Sequence, residues 1–149
     1  MTPKLQLDAF IDRFAPDVAA RTRKALARLR KLAPGALELV YDNYNALAIA
    51  FSPTERASDA IMSIAVYPKY PSLFFAQGAK LPDPTRRLQG SGKAFRHIVI
   101  DDVALFDEAP VRALIDAALA RAKTPLDPKQ RRQLVIKSVS PKQRPRRPA

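Results

Sequence analysis

Five short apolar runs follow one another between Leu37 and Ile100, each bounded by turn-forming residues. This succession constrains the fold more than any other feature of the chain. Leu37, Leu39 and Tyr41 alternate with Glu38 and Val40, and beyond Asp42-Asn43 come Leu47, Ile49 and Phe51, interleaved with alanines. A period of two is the signature of strands. Ala60 to Tyr67 is almost continuously apolar, which suits a central strand covered on both faces. Pro68-Lys69-Tyr70-Pro71 leads into Ser72–Gln77, centred on Leu73, Phe74 and Phe75. Gly78 to Gln89, broken by Pro82, Asp83 and Pro84, reads as a loop into Gly90-Ser91-Gly92 and the strand Ala94–Ile100. Parallel neighbours need long, usually helical crossovers, so short connections predict antiparallel pairing.

Helical periods flank the strands. Leu7, Phe10, Ile11 and Phe14 fall at i, i+3, i+4 and i+7, one face of a short amphipathic helix. Pro16 suits the first position of a second helix, which runs to about Ala33 with Val18, Thr22, Ala25, Leu26, Leu29 and Leu32 inward. Asp107 reads as the N-cap of a third, whose stripe is Val111, Leu114, Ile115, Ala118, Leu119 and Ala122. The predicted fold is α+β, an antiparallel five-stranded sheet with two N-terminal helices and one C-terminal helix packed on one face. Residues 1–124 make up this domain, and residues 125–149 a basic, proline-containing extension. Within the extension, Gln133–Val139 has strand composition and offers a sixth, edge strand, whereas Ser140 to Ala149 has the composition of a disordered segment.

Composition removes several classes of function. The chain of 149 residues is long enough for a real core. It has no Cys, which excludes disulfides, thiolate chemistry and cysteine zinc sites. Asp8, Asp12 and Arg13 leave the N-terminal segment without an apolar h-region, and no apolar run approaches the ~18–20 residues a membrane span needs. The expected location is the cytoplasm, with no membrane partner. The net charge of +12 is uneven, for residues 125–149 carry eight Lys/Arg against one Asp. Arg131, Arg132, Lys137, Lys142, Arg144, Arg146 and Arg147 are therefore candidates for contacts with nucleic-acid phosphates. Arg21, Arg23, Lys24, Arg28, Arg30 and Lys31 of the second helix invite the same thought, but no aromatic residue interleaves them and a solvated helix face accounts for them.

The densest signal for a site lies in LQGSGKAFRHIVID, residues 88–101. Gly90, Ser91 and Gly92 can present consecutive backbone N–H groups to an anion, with Lys93 and Arg96 adding charge. The spacing is not that of a P-loop, and a strand follows instead of a helix, so a hairpin turn is the plainer account. His97, the only histidine, alternates onto the face opposite Ile98 and Ile100, with no neighbour to make it a general base. Asp101, Asp102, Asp107 and Glu108 would bind a hard cation only if they converged in space. Capping and helix-dipole roles explain them more simply. Tyr41, Tyr44, Tyr67 and Tyr70 stand at strand ends or turns and can rim a small-molecule pocket. Neither G-x-S-x-G nor H-E-x-x-H occurs, and no catalytic residue is assigned.

The opening LDAFIDRFAPDVAARTRKALARLRKLAP, the word VYPKYPSLFF, and LQGSGKAFRHIVI followed by the final helix together resemble the YdhG-like family of small bacterial domains of unknown function. The resemblance spans roughly Leu7 to Lys123, and IKSVSPKQRPRRP is similar to an extension in one branch. One branch resembles frataxin-type iron chaperones in shape and is described as an intracellular iron carrier, which implies an iron-carrier-like role as one option. It carries Tyr-Gly-Met-Pro after its first strand; here the place reads Tyr41-Asp42-Asn43-Tyr44, so that word is missing. The resemblance implies a non-enzymatic binding module for a small ligand or ion. We expect its groove near Gly90, Ser91, Gly92, Lys93, Arg96 and His97, with Tyr41 and Tyr44. No cofactor and no metal site are expected, and the chain is a monomer or homodimer. The alternatives are a nucleic-acid accessory module acting through the basic extension, and a protein-interaction or assembly domain.

Overall fold

The structure is a computed structural model that describes residues 1–148. Two helices, α1 (Pro3–Asp12) and α2 (Pro16–Leu32), precede the strands β1 (Leu37–Asp42), β2 (Leu47–Ser52), β3 (Met62–Val66), β4 (Pro71–Phe75) and β5 (Arg96–Val99). Helix α3 (Ala109–Arg121) and strand β6 (Leu134–Val139) follow. Together they build an α+β fold with one six-stranded sheet in the order β5-β4-β3-β2-β1-β6.

Strands β1 to β5 pair antiparallel with their sequence neighbours, as short connections require. Strand β6 departs from the expected antiparallel sheet by pairing parallel to β1. The chain between β5 and β6 contains α3 and is long enough for the crossover that parallel neighbours need. The sheet is therefore mixed.

Helix starts are set by local chemistry. The Thr2 hydroxyl accepts the Leu5 N–H at 3.2 Å and caps α1, and prolines occupy the first turns of all three helices. Asp107 is not the cap of α3. It ends a short 3-10 turn over Val103–Asp107 whose own cap is Asp102, and Glu108 precedes α3.

All three helices pack on one face of the sheet. There Ile11, Phe14, Leu26, Leu29, Val111 and Ile115 meet Leu47, Ile49, Phe51, Ile64, Leu73, Phe75 and Ile98 in one core. Each such side chain is worth about 1.5–3 kcal/mol when fully buried. The opposite face is covered thinly, by a small cluster of Leu37, Leu39 and Ala50 with Tyr41, Ala60 and Val135 against it. β3 thus lies under helices on one side only; its other side shows the small residues Ser63 and Ala65.

Register decides what else faces the helices. Leu47, Ile49 and Phe51 must point inward, and their partners on β1 are Asp42, Val40 and Glu38. Two carboxylates are thereby carried to the helix side of the sheet, each 1% exposed. Buried charge at this depth needs partners. Arg30 grips Glu38 with both Nε and Nη2, at 2.9 and 2.8 Å. Arg146 Nη2 donates to Asp42 at 2.9 Å, and Arg13 approaches the second Asp42 oxygen at 3.4 Å.

The segment after β6 is thus not the disordered tail its composition suggests. Ser140 N–H donates to the Asp42 carbonyl (2.8 Å), Arg144 N–H to the Tyr44 carbonyl (2.9 Å), and Gln143 Nε2 to Asp42 O (3.0 Å). The last residue of the expected extension, Ala149, lies outside the described residues.

Candidate functional site

Alternate turns of an antiparallel meander share an end of the sheet. The β1–β2 turn, closed by Asn43 N–H to Ala46 O (3.0 Å), and the β3–β4 turn, closed by Tyr67 N–H to Tyr70 O (3.0 Å), therefore lie at one end. Because β6 runs parallel to β1, the chain leaves it at that same end. The segment from Ser140 onward crosses beside the first turn, pinned by Arg146, and Arg147 Nε donates to the Arg13 carbonyl at 3.2 Å. Between the second turn and this segment an open cleft of ≈ 860 Å³ remains, within the range of small-ligand sites.

One wall of the cleft is Tyr67, Pro68, Lys69 and Tyr70, and the other is Arg144, Pro145, Arg147 and Pro148, with Asn45 between them. The Tyr67 and Tyr70 rings lie 6.2 Å apart, tilted by 50°. Arg144 sits 5.7 Å over the Tyr44 ring, a cation–π distance that fixes the guanidinium beside the cleft. Arg146 is the reason the second wall stands. It is 4% exposed, lies 5.7 Å over the Phe14 ring, and also donates to the carbonyls of Asn43 and Tyr44. Its neighbours on either side are left facing outward.

The electrostatics of the cleft have one sign. Lys69, Arg144 and Arg147 line it, and no lining residue among the described residues carries an acidic side chain. Burial raises the Tyr67 phenol above the ordinary tyrosine range, and the nearby Tyr70 raises it further. Tyr67 is therefore a neutral hydrogen-bond donor throughout the physiological range.

The glycine loop singled out by sequence lies elsewhere. Gln89 and His97 exchange backbone hydrogen bonds at 2.8 and 2.9 Å, which closes residues 90–96 into a hairpin loop. The loop precedes β5, which puts it at the opposite end of the sheet from the cleft. Only Gly90 in it adopts a left-handed φ, +121°. Ser91, Gly92 and Lys93 are exposed, and Arg96 turns its Nη1 onto the loop's own carbonyls, Gly92 O at 2.6 Å and Phe95 O at 2.7 Å. His97 stacks on Phe74 at 4.8 Å on the thinly covered face.

Tyr41 and Tyr44 do not join this loop. Four strand spacings of ~4.8 Å separate β1 from β5, or ~19 Å. The groove expected from Gly90–His97 plus Tyr41 and Tyr44 is therefore not one site. Tyr44 instead belongs beside the cleft through Arg144, and Tyr41 lies on the thinly covered face.

Many of the remaining charged candidates are paired within the fold. On α2, Arg21 pairs with Asp17, Arg23 with Asp12, Arg28 with Asp107 and Arg30 with Glu38. Asp107 also meets Arg112, Glu108 meets Arg87, and Asp102 caps its 3-10 turn, so these three acids face separate partners, while Asp101 is exposed. Among the described residues no group of three His, Cys, Asp or Glu is placed to hold a metal ion. Of the cationic candidates for nucleic acid, Arg146 is buried, Arg132 lies 3.8 Å from Glu38, and Lys137 donates to Glu55 O at 3.1 Å. Arg131 and Lys142 are exposed. A second cleft of ≈ 110 Å³, between Ile61, Gln77, Ala118 and Arg121, is too small for a drug-sized ligand. No helix among the described residues is long and apolar enough to cross a membrane.

Sequence reasoning had the tyrosines but not their company. The cleft takes one wall from a turn and the other from a segment more than seventy residues later in the chain. No protein-family model, curated protein or solved structure matches the chain.

Proposed function

We propose that this chain is a cytoplasmic, non-enzymatic binding module of the YdhG-like type whose site for a small anionic ligand is the Tyr67–Arg147 cleft. One observation carries the reading. Three cationic side chains, Lys69, Arg144 and Arg147, line one open cleft in which, among the described residues, no acidic side chain opposes them. Like charges gathered in a concave site focus a positive potential and raise the local concentration of anions. The Tyr67 phenol and the Asn45 amide add neutral donors, and three prolines add rigid apolar wall. Support for the family reading comes from the element order of two helices, five meander strands and a helix, which carries the same words that bear the resemblance.

Nucleic-acid binding through the extension as a loose basic tail has less support, because the segment is docked and Arg146 serves Asp42. Calorimetric titration of the full chain with pyrophosphate tests the proposal. Saturable binding is expected, weakened about tenfold by Arg144→Ala or Arg147→Ala and unchanged by Lys93→Ala, since a charge-assisted hydrogen bond is worth about 1.5–3 kcal/mol. Absence of binding at low salt overturns it, and so does loss on Lys93→Ala with Arg144→Ala silent.

A further inference from the structure

We infer that the cleft takes a nucleotide, an aromatic base joined to a phosphate. The inference rests on the anion-binding reading above and adds the half of the ligand that charge does not explain. A site for inorganic phosphate alone needs converging donors and little else. This cleft is larger than that, at ≈ 860 Å³, and one wall is aromatic. Tyr70 is 39% exposed although it is a large apolar ring, and it stands at the mouth of the cleft tilted against Tyr67 instead of tucked into the core. An exposed ring with a neighbour behind it is a stacking platform, and every base offers a π-face to such a platform.

The chemistry is divided between the walls. The tyrosine turn supplies ring surface and Lys69. The opposite wall supplies two guanidiniums, whose planar forks match phosphate oxygens. Arg144 is held over the Tyr44 ring, and the backbone of its neighbour Arg146 is anchored through a buried side chain, so both phosphate donors sit on a fixed segment. Asn45, between the walls, carries both a donor and an acceptor for a base or sugar edge. A lining of cationic and neutral side chains, with no acidic one among the described residues, disfavours a cationic ligand.

Affinities of the full chain for AMP, adenosine, ribose 5-phosphate and pyrophosphate, measured at one salt concentration, test the inference. AMP is expected to bind more tightly than ribose 5-phosphate by roughly 5- to 150-fold, the factor that stacking of one base is worth. Tyr70→Ala should erase that advantage, leave pyrophosphate binding intact, and be rescued by Tyr70→Phe, which keeps the ring. Arg144→Ala should weaken AMP and pyrophosphate alike. A tetra-adenylate probe separates the sources of the nucleotide: tighter binding than AMP points to a unit within a single strand, equal binding to a free nucleotide, and either supports the class. Ribose 5-phosphate binding as tightly as AMP, or Tyr70→Ala leaving AMP unaffected, overturns the nucleotide while the anion site stands. Failure of pyrophosphate as well removes the anion reading itself.

Discussion

Asp42 shows how one residue can organise a site it does not line. Its side chain faces the helices because Leu47, its register partner, must, and a carboxylate at 1% exposure is tolerable only with charged partners. Arg13 from the α1–α2 junction and Arg146 from the C-terminal segment both answer it. Arg146 is left with Nε unpartnered, and its three other contacts and the Phe14 ring make up for it. Tyr67 is the residue in the cleft that titration reports on. Burial, and then Tyr70, raise its phenol, so above pH of about 10 the unfolded chain loses this proton before the folded one does. The stabilising contribution of the neutral phenol is thus complete below pH of about 10 and is lost as pH climbs toward the folded value. Tyrosinate absorbance of Tyr67→Phe should lose a component that titrates above the ordinary tyrosine range, and its stability should fall less steeply above pH of about 10. A titration curve that merely shrinks in proportion would show that Tyr67 is an ordinary surface tyrosine.

At the scale of elements, the C-terminal segment is a clasp, and its hold on the domain can be measured. Arg146→Ala removes one partner of a buried pair, a change that costs about 3 kcal/mol even at the lower end of the usual range. The lower end applies because a released segment lets water reach Asp42. For a chain of this size that is a drop in Tm of about 6–12 °C, with proteolytic cleavage between residues 140 and 148 strongly accelerated. A Tm within about 1 °C of wild type would mean that the segment is held by its backbone contacts alone. This clasp marks where sequence reading stops. The meander was legible because Leu47, Ile49 and Phe51 alternate, and the helices because Val18, Ala25, Leu26 and Leu29 recur at helical spacing; these are local signals with one physical solution each. β6 was visible as a strand, but not its parallel direction, which is settled by α3 carrying the chain across the helical layer. Ser140 to Pro148 looked disordered because prolines and arginines bury little apolar surface. What orders it is pairing with a carboxylate about a hundred residues away, and composition carries no trace of that. Gly35 tells the same story in reverse. It follows α2 with a φ of +83°, as a glycine helix stop does, but a Cβ there would also collide with the Asp127 carbonyl, a contact across most of the chain.

The whole molecule has two ends, and each carries one of the features a reader of the sequence would choose. The Gly90 hairpin, with Lys93 and Arg96, lies at the end from which β5 starts; the tyrosine–arginine cleft lies where β1, β3 and β6 finish. A net charge of +12 gives both ends a positive field, so binding of an anion by itself does not say which is used. The difference between them is pre-organisation. At the hairpin Lys93 is exposed and Arg96 is turned by its Nη1 onto the loop's own carbonyls, Gly92 O and Phe95 O, whereas at the cleft Arg144 is held over an aromatic ring and Arg147 bonds the Arg13 carbonyl of another element. A ligand that finds its donors already fixed loses less of its binding energy to ordering them. Hydrogen exchange with saturating pyrophosphate reads the two ends at once. Amides at residues 43–46, 67–70 and 140–148 should gain protection together, because the ligand ties the two turns to the clasp and makes their opening cost more by mass action. Amides at residues 90–96 should exchange at the rate of the free protein. Protection confined to residues 90–96 would move the site to the glycine hairpin, and would leave the clasp as a structural device that closes the sheet end without serving a ligand.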